Sequence, residues 1–261
     1  MKKKFNGTHE EYLELQKSYI HKTKGRTGNT CPDKLTYARM RAQGDYLLFK
    51  SRFWRYRAFI EPEENAVLLG ARLGTEVYAL RDLGHKNCIG MDVQTEYAND
   101  INLVEYGDFM DLRYPDNSIQ FVYTNCFDHL TDPLDFIEGL EVVMKTNSFA
   151  LFDVDDQHIS KRGFSGWDMY EPEDLKELLG ILEGKNRHIV SMEESYEPFA
   201  GGGQTVLLKF GEAATKEEEQ LASAAKSHHA RQKSLFETEN PQRFQYSMPL
   251  KLTDKMQEGL L

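Results

Sequence analysis

The apolar and polar positions in the middle of the chain predict a strand, a turn, a helix and a second strand in strict succession. Ala66-Val67-Leu68-Leu69 is a short apolar run, the signature of a fully buried strand. Gly70-Ala71-Arg72-Leu73-Gly74 follows as a tight turn with glycine at both ends. From Thr75 to Leu83, residues Val77, Leu80 and Leu83 recur at helical spacing, and Gly84 is a stop signal. Cys88-Ile89-Gly90-Met91 is a second apolar run that ends on Asp92.

The same reading extends to the rest of the chain. Further strands are predicted at 103–106, 119–123, 149–152, 188–192 and 205–210, with helices over 133–144 and 171–182. The last two strands have no helix between them, so they pair antiparallel as a closing hairpin. Alternating strands and helices predict an α/β fold with a doubly wound, seven-stranded, mostly parallel sheet.

Before the first strand, Glu10 to Ile20 reads as a helix, Lys22 to Pro32 as a loop, and Leu35 to Ile60 as a second helical stretch with a break near Gly44. Tyr46 to Ile60 interleaves aromatic and basic residues. That pattern suits either a surface for a nucleic acid or acidic substrate, or an amphipathic helix that packs its aromatics and leaves Lys50, Arg52, Arg55 and Arg57 in water. The periodicity favours the helix. Thr215 to Lys226 reads as a solvated helix, and the remainder is a polar appendage. The expected organisation is a helical extension over 1–60, the α/β domain over 61–211 and an appendage over 212–261.

Composition narrows the function classes. A formal net charge of −10 over 261 residues argues against a general nucleic-acid binder. Cys31, Cys88 and Cys126 lie far apart without zinc spacing, so a reducing compartment is expected. The basic start Met1 to Lys4 runs into a polar segment instead of a leader, and no apolar run is long enough to span a bilayer; the expectation is a cytoplasmic protein without a membrane segment.

The chemistry concentrates around the first turn. Gly70 allows a sharp turn and a close approach to a ligand, and Gly74 lets the helix start lie against the strand. The free N–H groups at that start favour negative charge. An acid about twenty residues past the first glycine, at the tip of the second strand, is placed to accept both hydroxyls of a ribose, which gives Asp92 that role.

Residues 66–210 together resemble the class I S-adenosylmethionine-dependent methyltransferases, in particular the small-molecule type. Val67 to Gly74 is similar to the family's first motif, Gly90-Met91-Asp92 to its second and Gly107-Asp108-Phe109-Met110-Asp111-Leu112 to its third. Phe121 to Pro133 is similar to the fourth motif with its downstream histidine, and Val142 to Phe149 stands where the family has a turn. The resemblance implies methyl transfer from S-adenosylmethionine to a small-molecule acceptor. It also implies cofactor contacts from Gly70, Ala71, Arg72, Gly74, Asp92, Val93, Asp108, Phe109, Asn125 and Cys126, with Asp108 facing the adenine amino group and Phe109 packing on the ring.

The chain departs from the family pattern at two positions. Leu68 stands where the family has an acid, and Arg72 where it has a middle glycine. Arg72 either pairs with the methionine carboxylate or fills the pocket and abolishes cofactor binding. His129 is the first candidate for a general base and Asp128 the second; packing or helix capping is the plain alternative for His129. Cys126 is equally a small buried residue or a cofactor contact. Asp153, Asp155 and Asp156 suit a hard cation, although such clusters are more often solvated loops, and no metal is expected. Trp167 and Tyr170 are a substrate lid or loop anchors. Two rival functions are a non-catalytic, methyltransferase-like assembly protein and a nicotinamide-dependent oxidoreductase. The Gly70-x-x-x-Gly74 turn and the closing hairpin count against the second.

Overall fold

The apolar runs become the strands of one seven-stranded sheet, in a computed structural model that describes residues 5–21, 34–98, 102–155, 175–195 and 203–226. β1 (Ala66–Leu69) pairs in parallel with β2 (Cys88–Asp92) on one side and β4 (Ile119–Thr124) on the other. β3 (Val104–Tyr106) extends the sheet beyond β2, and β5 (Met144–Asp155) extends it beyond β4, both in parallel. β7 (Gly203–Phe210) runs antiparallel between β5 and β6 (Arg187–Ser195), which gives the order β3-β2-β1-β4-β5-β7-β6.

Successive side chains of a strand point to opposite faces, and both faces of this sheet are covered. Val67, Leu69, Val122, Ala150 and Phe152 face one apolar core, formed with Phe136, Ile137 and Leu140 of α4 (Pro133–Val143) and Leu178 and Leu182 of α5 (Leu175–Leu182). Ala66, Leu68, Phe121, Tyr123 and Leu151 face the other. That core takes Phe49 and Phe53 of α2 (Lys34–Arg55), Val77 and Leu80 of α3 (Thr75–Arg81) and Ala222 and Ala225 of α6 (216–226). Leu68, where the resembling family has an acid, is therefore a fully buried core residue. α1 (His9–His21) lies at the N-terminal side of the described chain.

Three expectations need correction. α2 runs unbroken through Gly44, because tertiary contact of its aromatic face outweighs one glycine's helix penalty of about 1 kcal/mol. Arg52 and Arg55 are buried instead of solvated: Arg52 is ion-paired with Asp153, and Arg55 Nη1 lies 2.9 Å from Glu193 Oε1. β5 begins at Met144, the last residue of the predicted helix, five residues before the predicted strand start at Phe149, and a register irregularity separates the Ile119–Met144 pair from the Phe121–Phe149 pair. Asn147 takes a left-handed conformation there, φ 62°. Trp167, Tyr170 and Asp156 lie outside the described residues.

Candidate functional site

The chain leaves β1, β2, β3 and β4 at the same edge of the sheet, the edge where open α/β sheets bind ligands. After β1, Gly70 adopts φ 75° and its N–H donates to the Met91 carbonyl at 2.8 Å, tying the turn to β2. A Cβ on Gly70 would come 2.5 Å from Cys126 Sγ, so only glycine fits where this turn meets the segment after β4. Gly74 also has φ 75° and packs on Val104, where a Cβ would come within 3.2 Å of Cγ2.

Asp92 ends β2 and is 6% exposed. Its Oδ2 accepts the Arg72 backbone N–H at 3.0 Å, and its Oδ1 accepts the Gln94 backbone N–H at 2.8 Å. The two bonds fix the carboxylate in orientation. Each oxygen keeps a further lone pair, because an ionised carboxylate has about four acceptor positions.

β3 leads to Asp108 and Phe109. Asp108 Oδ1 accepts the Met110 N–H at 2.8 Å, and its Oδ2 is 3.7 Å from His9 Nδ1 of α1. Burial pushes the Asp108 carboxyl above its ordinary value, against the opposing effects of the Met110 N–H and of His9. Phe109 is buried and meets Phe136 edge-on, with ring centroids 6.2 Å apart. After β4, Cys126 donates its N–H to Thr124 Oγ1 at 3.0 Å, and a single 3-10 turn, Phe127–His129, follows. Asp132 then caps α4 by accepting the N–H groups of Leu134 and Asp135, with Pro133 at the first helical position, which fixes the segment carrying His129.

Of the residues anticipated from sequence, Gly70, Arg72, Asp92, Val93, Phe109, Cys126 and His129 line one cleft. Ala71, Gly74, Asp108 and Asn125 are not among its lining residues. Ala71 is buried behind the turn, where a Cβ on Gly90 would meet its own at 2.7 Å, and Asn125 is exposed. Asp128 lies in the 3-10 turn beside His129. Asp153, anticipated as part of a solvated or cation-binding loop, is instead buried. It accepts the Tyr123 hydroxyl at 2.5 Å and the Thr205 hydroxyl at 2.7 Å and is paired with Arg52. Among the described residues no group of three His, Cys, Asp or Glu side chains is placed to hold a metal ion. Among them, too, no helix is long and apolar enough to cross a membrane.

Three further residues line the cleft that sequence reasoning missed: Tyr12, Gln16 and Gln94. Gln94 had a local signal, since aspartate side chains accept the backbone N–H two residues on. Tyr12 and Gln16 lie one turn apart on α1, and nothing in their spacing distinguishes a site face from a core face. Glu76, in the first turn of α3, is also buried; burial pushes its carboxyl up to about 8, with the charges of Asp45 and Asp92 adding to the rise and Arg72 opposing it.

No family model and no curated protein matches the sequence. Solved structures do match the fold. A chain of the complex between the Haloferax volcanii Trm112 methyltransferase activator and a proposed methyltransferase superposes with a TM-score of 0.55. It is 18% identical, and the match covers 68% of this chain and 95% of that one. MccD superposes with a TM-score of 0.50 at 12% identity, over 62% of this chain and 96% of that one. The chain therefore has a Rossmann-like methyltransferase fold.

Proposed function

We propose that the protein transfers a methyl group from S-adenosylmethionine to a small-molecule acceptor. The observation that carries this reading is the fixed Asp92 carboxylate. Two backbone N–H groups orient it at the tip of β2, and its remaining lone pairs are available to accept a pair of vicinal hydroxyls. The other residues fit the same group. Gly70 gives a wall without a side chain, Phe109 offers an anchored ring for the base, and Arg72 brings a guanidinium to the cleft for the ligand's carboxylate.

The bound cofactor would supply a methyl group on a sulfonium, a good leaving group. The protein's own task is then alignment: Asp92, Phe109 and Gly70 hold the nucleoside, and the segment after β4 presents the acceptor side. His129, which lines the cleft, is the candidate to take a proton from a hydroxyl or amine acceptor, with Asp128 next to it in the same turn.

Calorimetric titration of the whole chain with S-adenosylmethionine, S-adenosylhomocysteine and NAD tests the reading. Binding of the two adenosyl ligands and not of NAD is expected; binding of NAD alone would replace it with a nicotinamide-dependent activity. A non-catalytic assembly role is the second reading, favoured by Arg72 in the turn and by Leu68 in the core. Absence of binding by every adenosyl ligand would leave that one standing.

A further inference from the structure

α1 covers the cleft from a part of the chain that carries none of the motif residues. Tyr12 and Gln16, one helical turn apart, both line the cleft and are 1% and 8% exposed. Among the described residues, the Tyr12 hydroxyl and the Gln16 side-chain nitrogen are buried with no hydrogen-bond partner. Leaving a buried donor unmade forfeits its hydration without return, and native structures rarely accept this without a reason. Here two such atoms belong to residues that line one cleft.

Stability of the helix does not account for them. The Tyr12 ring meets the Phe5 ring edge-on at 6.2 Å, and a phenylalanine at position 12 would keep that contact. The helix is docked by other groups: the Gln94 side-chain amide donates to the Gln16 carbonyl at 3.2 Å, and His9 approaches Asp108. Gln16 thus spends its backbone carbonyl on docking and keeps its side-chain amide for the cleft.

We infer that α1 is the roof of the cofactor pocket, and that the Tyr12 hydroxyl and Gln16 amide hydrogen-bond the adenosyl ligand on the side opposite Asp92. The inference rests on the adenosyl reading of the cleft proposed above. The chemistry is complementary. Asp92 only accepts hydrogen bonds, Gln16 Nε2 only donates, and the Tyr12 hydroxyl does either. A nucleoside offers donors and acceptors in its ribose hydroxyls and acceptors in its ring nitrogens. With Asp92 and Gln94 buried beneath α1, the roof lifts for the ligand to pass and closes on it.

The test uses the full chain, with S-adenosylhomocysteine as the probe. Tyr12→Phe and Gln16→Leu each weaken binding by about 3- to 10-fold, the range of a single lost neutral hydrogen bond. Neither variant lowers the unfolding midpoint of the free protein, because each removes an unpartnered buried group. In the parent chain, the backbone amides of α1 exchange more slowly with solvent deuterium once the ligand saturates the site. Parent-like affinity in both variants, or unchanged exchange across α1, overturns the inference. If Asp92→Ala loses affinity under those same results, the adenosyl reading survives without the roof. If the parent chain binds no adenosyl ligand, the reading and the inference fall together.

Discussion

The Arg52 guanidinium on α2 lies against the Asp153 carboxylate on β5, and the two are 1% and 7% exposed. Arg52 Nη1 also donates to the Tyr123 hydroxyl at 3.0 Å, and Tyr123 in turn donates to Asp153. One turn further on, Arg55 and the Tyr56 hydroxyl both donate to Glu193 Oε1 on β6. α2 is thus clamped to the sheet by two buried charged clusters as well as by its aromatic face. Removing one member of such a pair strands the other. Asp153→Asn is expected to destabilise the fold by about 3–5 kcal/mol. Combining it with Arg52→Met recovers part of that loss, which urea unfolding midpoints will show. Equal losses in the single and the double variant would mean that the pair is not coupled.

Arg72 lines the cleft and donates its backbone N–H to Asp92. Arg72→Ala keeps the backbone bond and removes only the guanidinium. It is expected to weaken S-adenosylhomocysteine by on the order of 1.5–3 kcal/mol, the worth of a charge-assisted bond, and to leave 5′-methylthioadenosine unchanged, since that ligand has no carboxylate. Tighter binding of both ligands in calorimetry would instead identify Arg72 as a plug.

His129→Asn keeps hydrogen-bonding capacity and removes the titrating imidazole. With an acceptor found by screening cell extracts against methyl-labelled cofactor, turnover falls by about 10²–10⁴-fold at retained cofactor affinity if His129 is the base. The lower limb of the pH–rate profile disappears with it. Parent turnover with the parent profile would return the mechanism to alignment alone.

Glu76 gives a pH dependence with a definite sign. Its ordinary value is 4.5, and in the folded protein burial raises it to about 8. Below pH 4.5 the carboxyl is protonated whether the chain is folded or not. Between 4.5 and 8 the unfolded chain releases a proton that the folded chain retains, so stability falls as pH rises through that window. The slope is at most about 1.4 kcal/mol per pH unit. Glu76→Gln removes the effect. Its thermal midpoint should match the parent's near the acid end of the window and exceed it near the alkaline end. Parallel midpoints across the window would show that Glu76 ionises freely.

The order of elements was legible from residue 66 onward because the central strands β1, β4 and β5 are buried on both faces. Such strands read as continuous apolar runs, and glycine turns with helical spacing separate them. Gly70 and Asp92 were legible for a related reason: a sharp turn after the first strand and an acid at the tip of the second are local features, and parallel pairing in register brings them together.

Tertiary structure decided what pairs across the chain. Arg52 and Arg55 occur among aromatic residues in a pattern that also describes a solvated helix face. Their partners, Asp153 and Glu193, are 101 and 138 residues away. No local spacing encodes that contact. Tyr12 and Gln16 repeat the lesson at the cleft. Helical periodicity says that they share a face of α1, but what that face covers depends on how α1 docks against Gln94 and Asp108, some eighty to a hundred residues on. The sequence thus determined the sheet and the edge at which the cleft lies, because those follow from hydrophobic period and turn chemistry. Folding alone decided which buried charges are paired and which helix roofs the cleft, because those depend on contacts between elements that the chain places far apart.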